Sequence, residues 1–272
     1  MAVRLFEGRD HAAAYCRYRV TPCELIDTIV SYVEKKTPNQ CNLAVDVGCG
    51  SGQGTILLAP HFTKVVGTDV SPAQLEMALT NENPPNVSYR ECPAETLPFA
   101  CGEVDLVSAF AAAHWFDREK FLLEVDRVLR PGGCLALLSY SMDMELEYGD
   151  VPDTTLNGIC KEFYTALLPF RHPHLGTSSS DIYSAMFDSC PYPDKEWTGS
   201  LKVKRSLPLS GYIGMVETFS SFQGLLQKDP SRAERLSDDT KNKLMSAMKV
   251  SSPETEVTVI VKFFYWLARK PL

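Results

Sequence analysis

Three glycines at alternate positions, Gly48, Gly50 and Gly52, sit between an apolar run, Leu43 to Val47, and a helix-prone stretch that begins at Gln53. Glycines spaced this way let the backbone turn sharply and approach a ligand closely, because no Cβ intervenes and positive φ costs little. What the loop lacks narrows the ligand. A dinucleotide pattern, Gly-x-Gly-x-x-Gly, fails at Gln53 when read from Gly48 and at Thr55 when read from Gly50. The loop also has no lysine, so the usual P-loop partner of nucleotide phosphates is missing. Asp46, two residues before Gly48, would place a carboxylate near the mouth of the strand, favouring a cation over a pyrophosphate. Asp69 ends a second apolar run 21 residues after Gly48, where an acid can accept hydrogen bonds from both hydroxyls of a ribose. The pattern suits a cationic ligand that carries a ribose and no phosphate.

Other chemistry-bearing residues lie further along the chain. His114 follows a third apolar run, Val104 to Phe110, and imidazole with an unperturbed pKa of ~6.5 can take up a proton at neutral pH; holding a ligand or a loop carbonyl is its alternative role. Trp115 and Phe116 can stack on a ligand or pack in the core. Arg171, His172, His174 and Tyr183 fall close together, and an arginine there could grip a carboxylate by a bidentate pair. His172-Pro-His174 has no cysteine or acid at metal-ligand spacing, so no metal is expected.

These residues must be positioned by a framework, and the framework is readable as alternation. Short apolar runs at Leu43 to Val47, Lys64 to Asp69, Val87 to Arg90, Val104 to Phe110 and Cys134 to Tyr140 predict strands. Between them the spacing predicts helices over Gln53 to Ala59, Pro72 to Thr80 with Ser71 as cap, and Arg118 to Leu129 before Arg130-Pro-Gly-Gly133. Strand and helix in turn imply a parallel sheet covered on both faces, with ligands bound beyond the carboxyl ends of the strands. Before Leu43 lies a helical lead-in with Leu25, Ile26, Ile29, Val30 and Val33 on one face. After Tyr140 the alternation lapses. Helices are expected over Thr154 to Leu168, Asp181 to Ser189, Gly211 to Lys228 and Ser231 to Lys249. Strands are expected over Leu201 to Leu207 and Glu256 to Trp266, the last at or near the end of the sheet.

Bulk properties exclude several classes. The chain has 272 residues, a formal net charge of −7 and 44% hydrophobic residues, enough for a substantial core and poor as a nucleic-acid footprint. Its 9 cysteines include no Cys-x-x-Cys and read as reduced thiols of a cytoplasmic protein. No apolar stretch approaches the ~20 residues of a membrane span, and the N-terminus has no signal-like apolar core.

Val45-Asp-Val-Gly-Cys-Gly-Ser-Gly52, Gly67-Thr-Asp-Val-Ser-Pro72, Cys92-Pro-Ala-Glu-Thr-Leu-Pro-Phe99, Val104-Asp-Leu-Val107 and Val128-Leu-Arg-Pro-Gly-Gly133 occur in order. This set resembles the successive motifs of class I S-adenosylmethionine-dependent methyltransferases. Tyr15-Cys-Arg-Tyr-Arg19 and Ala113-His-Trp-Phe-Asp117 resemble, more narrowly, the small-molecule branch that includes trans-aconitate methyltransferase-like proteins. The resemblance implies that Asp46, Gly48, Cys49, Gly50 and Gly52 form the methionine end of the cofactor site, with Asp69 on the ribose and Val70 beside it. It places Ala94 and Glu95 against the adenine, and Phe110 to Trp115, Ala111 among them, along the transfer pocket. It also implies that Tyr15 and Arg19 close over the cofactor.

The fold expected from all this is α/β: one Rossmann-like domain with a seven-stranded, mostly parallel sheet whose last strand is antiparallel. Residues 1–40 would form a helical cap, 41–140 the cofactor core, 141–200 an insertion after the fifth strand and 201–272 the closing strands and helices. The function expected is methyl transfer from S-adenosylmethionine to an oxygen, nitrogen or sulfur of a small molecule, a carboxylate among the candidates. S-adenosylhomocysteine would be the product, His114 the catalytic group and Trp115, Arg171 and Tyr183 the substrate contacts. The alternatives are a non-catalytic S-adenosylmethionine-binding regulatory protein and an NAD-dependent oxidoreductase. No nucleic-acid, membrane or protein partner is indicated.

Overall fold

The computed structural model describes residues 8–18, 22–36, 41–176 and 178–272. Two helices lead in, α1 (Arg9–Tyr18) and α2 (Glu24–Glu34). The alternating half follows as β1 (Leu43–Val47), α3 (Gln53–Leu58), β2 (Lys64–Asp69), α4 (Pro72–Thr80), β3 (Val87–Glu91), β4 (Val104–Phe110), α5 (Arg118–Val128) and β5 (Leu129–Tyr140). Beyond it come β6 (Glu145–Glu147), α6 (Asp153–Leu167), α7 (Ser179–Ser189), β7 (Asp194–Pro208), α8 (Leu209–Glu217), α9 (Ser220–Lys228), α10 (Pro230–Met248) and β8 (Glu256–Arg269).

Parallel pairing joins β3, β2, β1, β4 and β5 in that spatial order, and β8 then lies antiparallel to β5. All five residues of β1 are buried, as a strand covered on both faces requires. The period of two sorts the side chains. Val45, Val47, Val66, Val107, Leu135 and Leu137 pack with Phe121 and Val125 of α5 and Tyr183 and Met186 of α7. Ala44, Val65, Leu106, Cys134 and Ala136 face the other way, against Ile26, Ile29 and Val33 of α2 and Leu58 of α3. A third core joins β7 and β8 to α6, α8, α9 and α10. The expected cap is in place, Ser71 Oγ accepting from Gln74 N at 3.3 Å with Pro72 in the first turn, and Asp117 caps α5.

Three expectations change. The sheet has eight strands among the described residues, because Glu145–Glu147 pairs with Thr258 to Ile260 on the edge of β8 that β5 vacates after Tyr140. The strand expected from Leu201 begins instead at Asp194, and pairs with β8 along nearly its whole length. The last strand lies near the sheet's end as expected, between β5 on one side and β6 and β7 on the other. The helix expected over Gly211 to Lys228 is two helices, because the chain breaks after Glu217 where Thr218 N–H caps back on Gly214 and Met215.

At the amino ends of the strands the polar groups close on each other. Buried Asp105 accepts from the amides of Asn42 (2.9 Å) and Leu43 (2.7 Å) and pairs with Arg130. Arg269, 3% exposed, donates to the carbonyls of Tyr32, Val33 and Gly132 and to Asp194 Oδ2. Over the opposite end lies α1, with Tyr18 packed where a Cβ on Gly214 of α8 would fall 2.6 Å from its ring. His11 Nε2 sits 3.0 Å from the Thr218 carbonyl. Among the described residues no helix is long and apolar enough to cross a membrane.

Candidate active site

The loop from β1 to α3 runs through three left-handed glycines, with φ of 68° at Gly48, 54° at Gly50 and 81° at Gly52. A Cβ at Gly48 would fall 2.5 Å from that of Ala112, and one at Gly52 would run into the Tyr89 hydroxyl. Conformation and space both exclude larger residues, so the backbone itself forms the wall of the site. The loop is tied down from several sides. Gly48 and Cys49 donate to the Thr68 carbonyl at 2.7 and 2.9 Å, and Asn81 Nδ2 donates to the Ser51 carbonyl at 2.8 Å.

Asp69, partly exposed at the end of β2, holds the same loop. Its Oδ2 accepts from Gly50 N and its Oδ1 from Ser71 N, each at 2.9 Å. Val70 next to it is also partly exposed.

Asp46 sits deeper than the sequence suggested. It is 1% exposed, and its oxygens accept from Thr55 Oγ1 at 2.7 Å and Ser108 Oγ at 3.1 Å. Burial pushes its carboxyl up to about 7, with the hydroxyls opposing and Asp69 adding to the rise. It braces the underside of the loop and is not a carboxylate at the mouth, because β1 is covered on both faces as far as Val47. Burial, with Asp69 and Asp46 near, also pushes the Cys49 thiol well up, so it stays protonated.

Opposite this loop the chain leaves β4 through Ala111, which has a φ of 57° and donates from its N–H to the Leu138 carbonyl at 2.7 Å. Left-handed alanine costs roughly 1–2 kcal/mol, so tertiary bonding holds the turn. The turn delivers Ala113 to Trp115 as one short 3-10 turn at the sheet's carboxyl edge. His114 is partly exposed, and its Nδ1 lies 3.4 Å from the Tyr183 hydroxyl. Tyr183 is 0% exposed and packs inside the core, so the structure removes it from the expected substrate contacts. The indole of Trp115 stacks on His174 (6.2 Å between centroids, 12° between planes) and meets His172 edge-on at 5.5 Å.

A cavity of about 840 Å³ opens here, lined in part by Pro93, Glu95, Trp115, Phe116, His174 and Met186. Ala94 is buried beneath it, and Glu95 Oε1 accepts from Asp117 N at 2.7 Å, joining the loop after β3 to the start of α5. Arg171 is half-buried, with Nη2 3.4 Å from both the Leu175 carbonyl and Ser179 Oγ, and so braces its own loop. The Tyr15 side chain and Arg19 lie outside the described residues. Among the described residues no three histidine, cysteine or acidic side chains are set to hold a metal. Sequence reasoning missed Tyr89, whose hydroxyl donates to Asn83 Oδ1 at 2.8 Å beneath Gly52, and the hydroxyls of Thr55 and Ser108 around Asp46. Nothing local in the sequence signals these pairings.

Residues 45–137 match the family model described as a methyltransferase domain. This segment is a methyltransferase domain. A Dictyostelium discoideum protein provisionally named a methyltransferase is 40% identical over 116 residues, which cover 43% of this chain and 43% of that protein. The chain thus spans less than half the length of the curated relatives it matches first. The solved structure of a protein from Anaeromyxobacter dehalogenans, provisionally named a type II methyltransferase, superposes with a TM-score of 0.72 at 24% identity, covering 92% of this chain and 97% of that one. A Haemonchus contortus phosphoethanolamine N-methyltransferase, solved with phosphomonomethylethanolamine and S-adenosylhomocysteine, gives 0.54 at 17% identity, covering 99% of this chain and 59% of that one. These likenesses bear out the fold. The narrower trans-aconitate-like branch is not singled out among them.

The cofactor of the methyltransferase domain is S-adenosylmethionine, and the residues present fit it. The glycine wall admits close approach of a ligand, the partly exposed Asp69 carboxylate holds the loop from the end of β2, and no lysine or arginine stands in the loop to call for phosphate.

Proposed function

We propose that the chain transfers a methyl group from S-adenosylmethionine to an oxygen, nitrogen or sulfur atom of a small organic acceptor in the cytoplasm. The observation that carries this reading is the left-handed glycine loop held by Asp69 at the carboxyl end of the sheet. When bound, S-adenosylmethionine supplies a methyl carbon activated by its sulfonium, whose sulfur keeps the electron pair as S-adenosylhomocysteine. Gly48, Gly50 and Gly52 bind the methionine end, Asp69 and Val70 the ribose, Ala94 and Glu95 the adenine, and Ala111 borders the transfer pocket. His114 takes the proton from an acceptor that arrives as O–H, N–H or S–H, while a carboxylate acceptor needs no base. Trp115 forms a flat wall for the acceptor, and alignment with exclusion of water supplies much of the acceleration. A bracing role for Arg171 replaces its grip on substrate. Eight described cysteines are free thiols, in keeping with a reducing compartment.

Calorimetric titration with S-adenosylhomocysteine, beside NAD and an Asp69→Ala variant, tests the cofactor half. Micromolar binding of the homocysteine ligand, lost in the variant and absent for NAD, is the expected result; NAD binding without it would sink the reading. Mass gain of 14 Da across a panel of small acids, phenols, amines and thiols, each methylation adding roughly one CH₂, tests the transfer half. Tight cofactor binding with no methylated product across that panel would favour a regulatory cofactor-binding role.

A further inference from the structure

We propose that the turn carrying His172 and His174 is a proton-sensitive cover on the cavity beside Trp115, closed while His172 is neutral and released when that imidazole takes a proton. What the cover admits rests on the methyltransferase reading above, whereas the switch itself does not.

Arg171 leads into a single 3-10 turn, Pro173–Leu175, with His172 as its cap. His172 Nδ1 accepts from His174 N at 3.2 Å. A backbone N–H can only donate, so this bond exists only while Nδ1 keeps its lone pair and the ring hydrogen sits on Nε2. A second proton goes to Nδ1, where it meets the His174 N–H head-on and the bond is lost. The atom that caps the turn is thus the atom that titrates.

The turn closes on the site through its rings. His174 stacks on the Trp115 indole and His172 meets the same indole edge-on, with the two imidazoles 6.4 Å apart. His174 and Trp115 both line the cavity of about 840 Å³, so the cap that places His174 sets part of the cavity wall. Buried Leu175 anchors the turn. His174 Nε2, however, is buried with no hydrogen-bond partner among the described residues, so the closed form lacks a bond that water would supply on opening. The turn runs out at Gly176, exposed and at a φ of 53°, with open space around the position of a Cβ. One end of the turn is therefore free to move, and the bond at the other holds it shut.

The titratable and charged groups around His172 are His174 on its own turn, Arg171 before it with Asp181 of α7, and His114 beyond Trp115. Across the cavity stand Glu95 and the start of α5 from Asp117 to Lys120. Of these side-chain types, imidazole is the one that ordinarily changes charge between about pH 5 and 8.

The test follows the His174 amide by hydrogen exchange on the full chain from about pH 8 to about pH 5, with each rate divided by that of an open amide at the same pH. Protection should fall about tenfold toward the acid end, the loss of a bond worth about 1.4 kcal/mol. His172→Asn offers the same amide a side-chain carbonyl that takes no proton, and its protection should stay level. His174→Phe keeps a flat ring on Trp115 without a titrating group, and should retain the decline. Long-range ¹H–¹⁵N correlation at the alkaline end should find His172 with a bare Nδ1 and a hydrogen on Nε2. A hydrogen on Nδ1 there, protection indifferent to pH, or an equal decline in His172→Asn would each overturn the proposal. Near-UV circular dichroism at each pH separates opening of the turn from loss of the fold. Failure to bind S-adenosylhomocysteine would instead remove the methyltransferase reading and leave the switch standing.

Discussion

The two ends of one sheet are built on opposite principles. At the amino ends, buried charges meet opposite charges or several backbone groups: Asp105 has Arg130 and two amides, and Arg269 has three carbonyls and Asp194. At the carboxyl ends, buried Asp46 accepts from the hydroxyls of Thr55 and Ser108, the glycine loop holds three left-handed residues, and Ala111 takes a conformation alanine disfavours. The first end is closed on itself. The second stores a modest cost in local structure, as surfaces shaped for a ligand do. Stability and binding should therefore respond separately to substitutions at the two ends.

The largest effect should come from the closed end. Asp105→Ala takes the carboxylate from the partly exposed Arg130 and leaves the amides of Asn42 and Leu43 without their acceptor, and urea unfolding should show a loss of about 3 kcal/mol, with S-adenosylhomocysteine affinity of the folded protein nearly unchanged. At the open end the order reverses: Asp69→Ala should weaken S-adenosylhomocysteine binding about 100-fold by calorimetry, the worth of two charge-assisted hydrogen bonds at about 1.5 kcal/mol each, with a smaller loss of stability. Equal losses of both properties in both variants would erase the contrast.

Asp46 sharpens the contrast through pH. Its carboxyl titrates at about 7 when folded against an ordinary 3.8, so between those values the folded chain holds a proton that the unfolded chain has released. Stability must then fall as pH rises through this window, by roughly 1 kcal/mol per pH unit, and level off above it. Denaturation of the native protein at pH 5, 6 and 7 should show this decline, and Asp46→Asn should lack it; parallel curves for the two would place the charge elsewhere. The smallest effect is a gain. Ala111→Gly should raise the unfolding free energy by about 0.5–1 kcal/mol as the left-handed strain is relieved, less what glycine's freer unfolded chain takes back. A loss would mean that the methyl group's packing outweighs its backbone cost.

The parts of this molecule written in contiguous residues were legible before any coordinates. Glycines at 48, 50 and 52, the proline after Ser71 and the apolar runs of β1, β2 and β4 each act over a few residues, so the fold class and the place of the glycine loop between β1 and α3 followed directly. Depth was harder to read. Asp46 and Tyr183 look like exposed polar groups in a linear reading, yet each is covered by elements more than fifty residues away, Ser108 over one and His114 over the other. The strand start at Asp194 was missed for a similar reason. Residues 194–200 are polar and Gly-containing, and they extend only because β8 offers a partner. Trp115 gave no hint of the two imidazoles beside it, since His172 and His174 arrive from a separate loop.

The interior position of β8 has a consequence during synthesis. On the side away from β4, Cys134 to Tyr140 of β5 pair with Phe263 to Arg269, so the outer edge of the parallel sheet stays open while the intervening residues are translated. At 5–20 residues per second this lasts on the order of ten seconds. Leu135, Leu137 and Leu138 lie along that edge, and an apolar strand with unmatched backbone groups is a template for wrong pairing. The finished protein hides this edge completely, so its hazard belongs to the nascent chain, and slow translation between β5 and β8 would lengthen it.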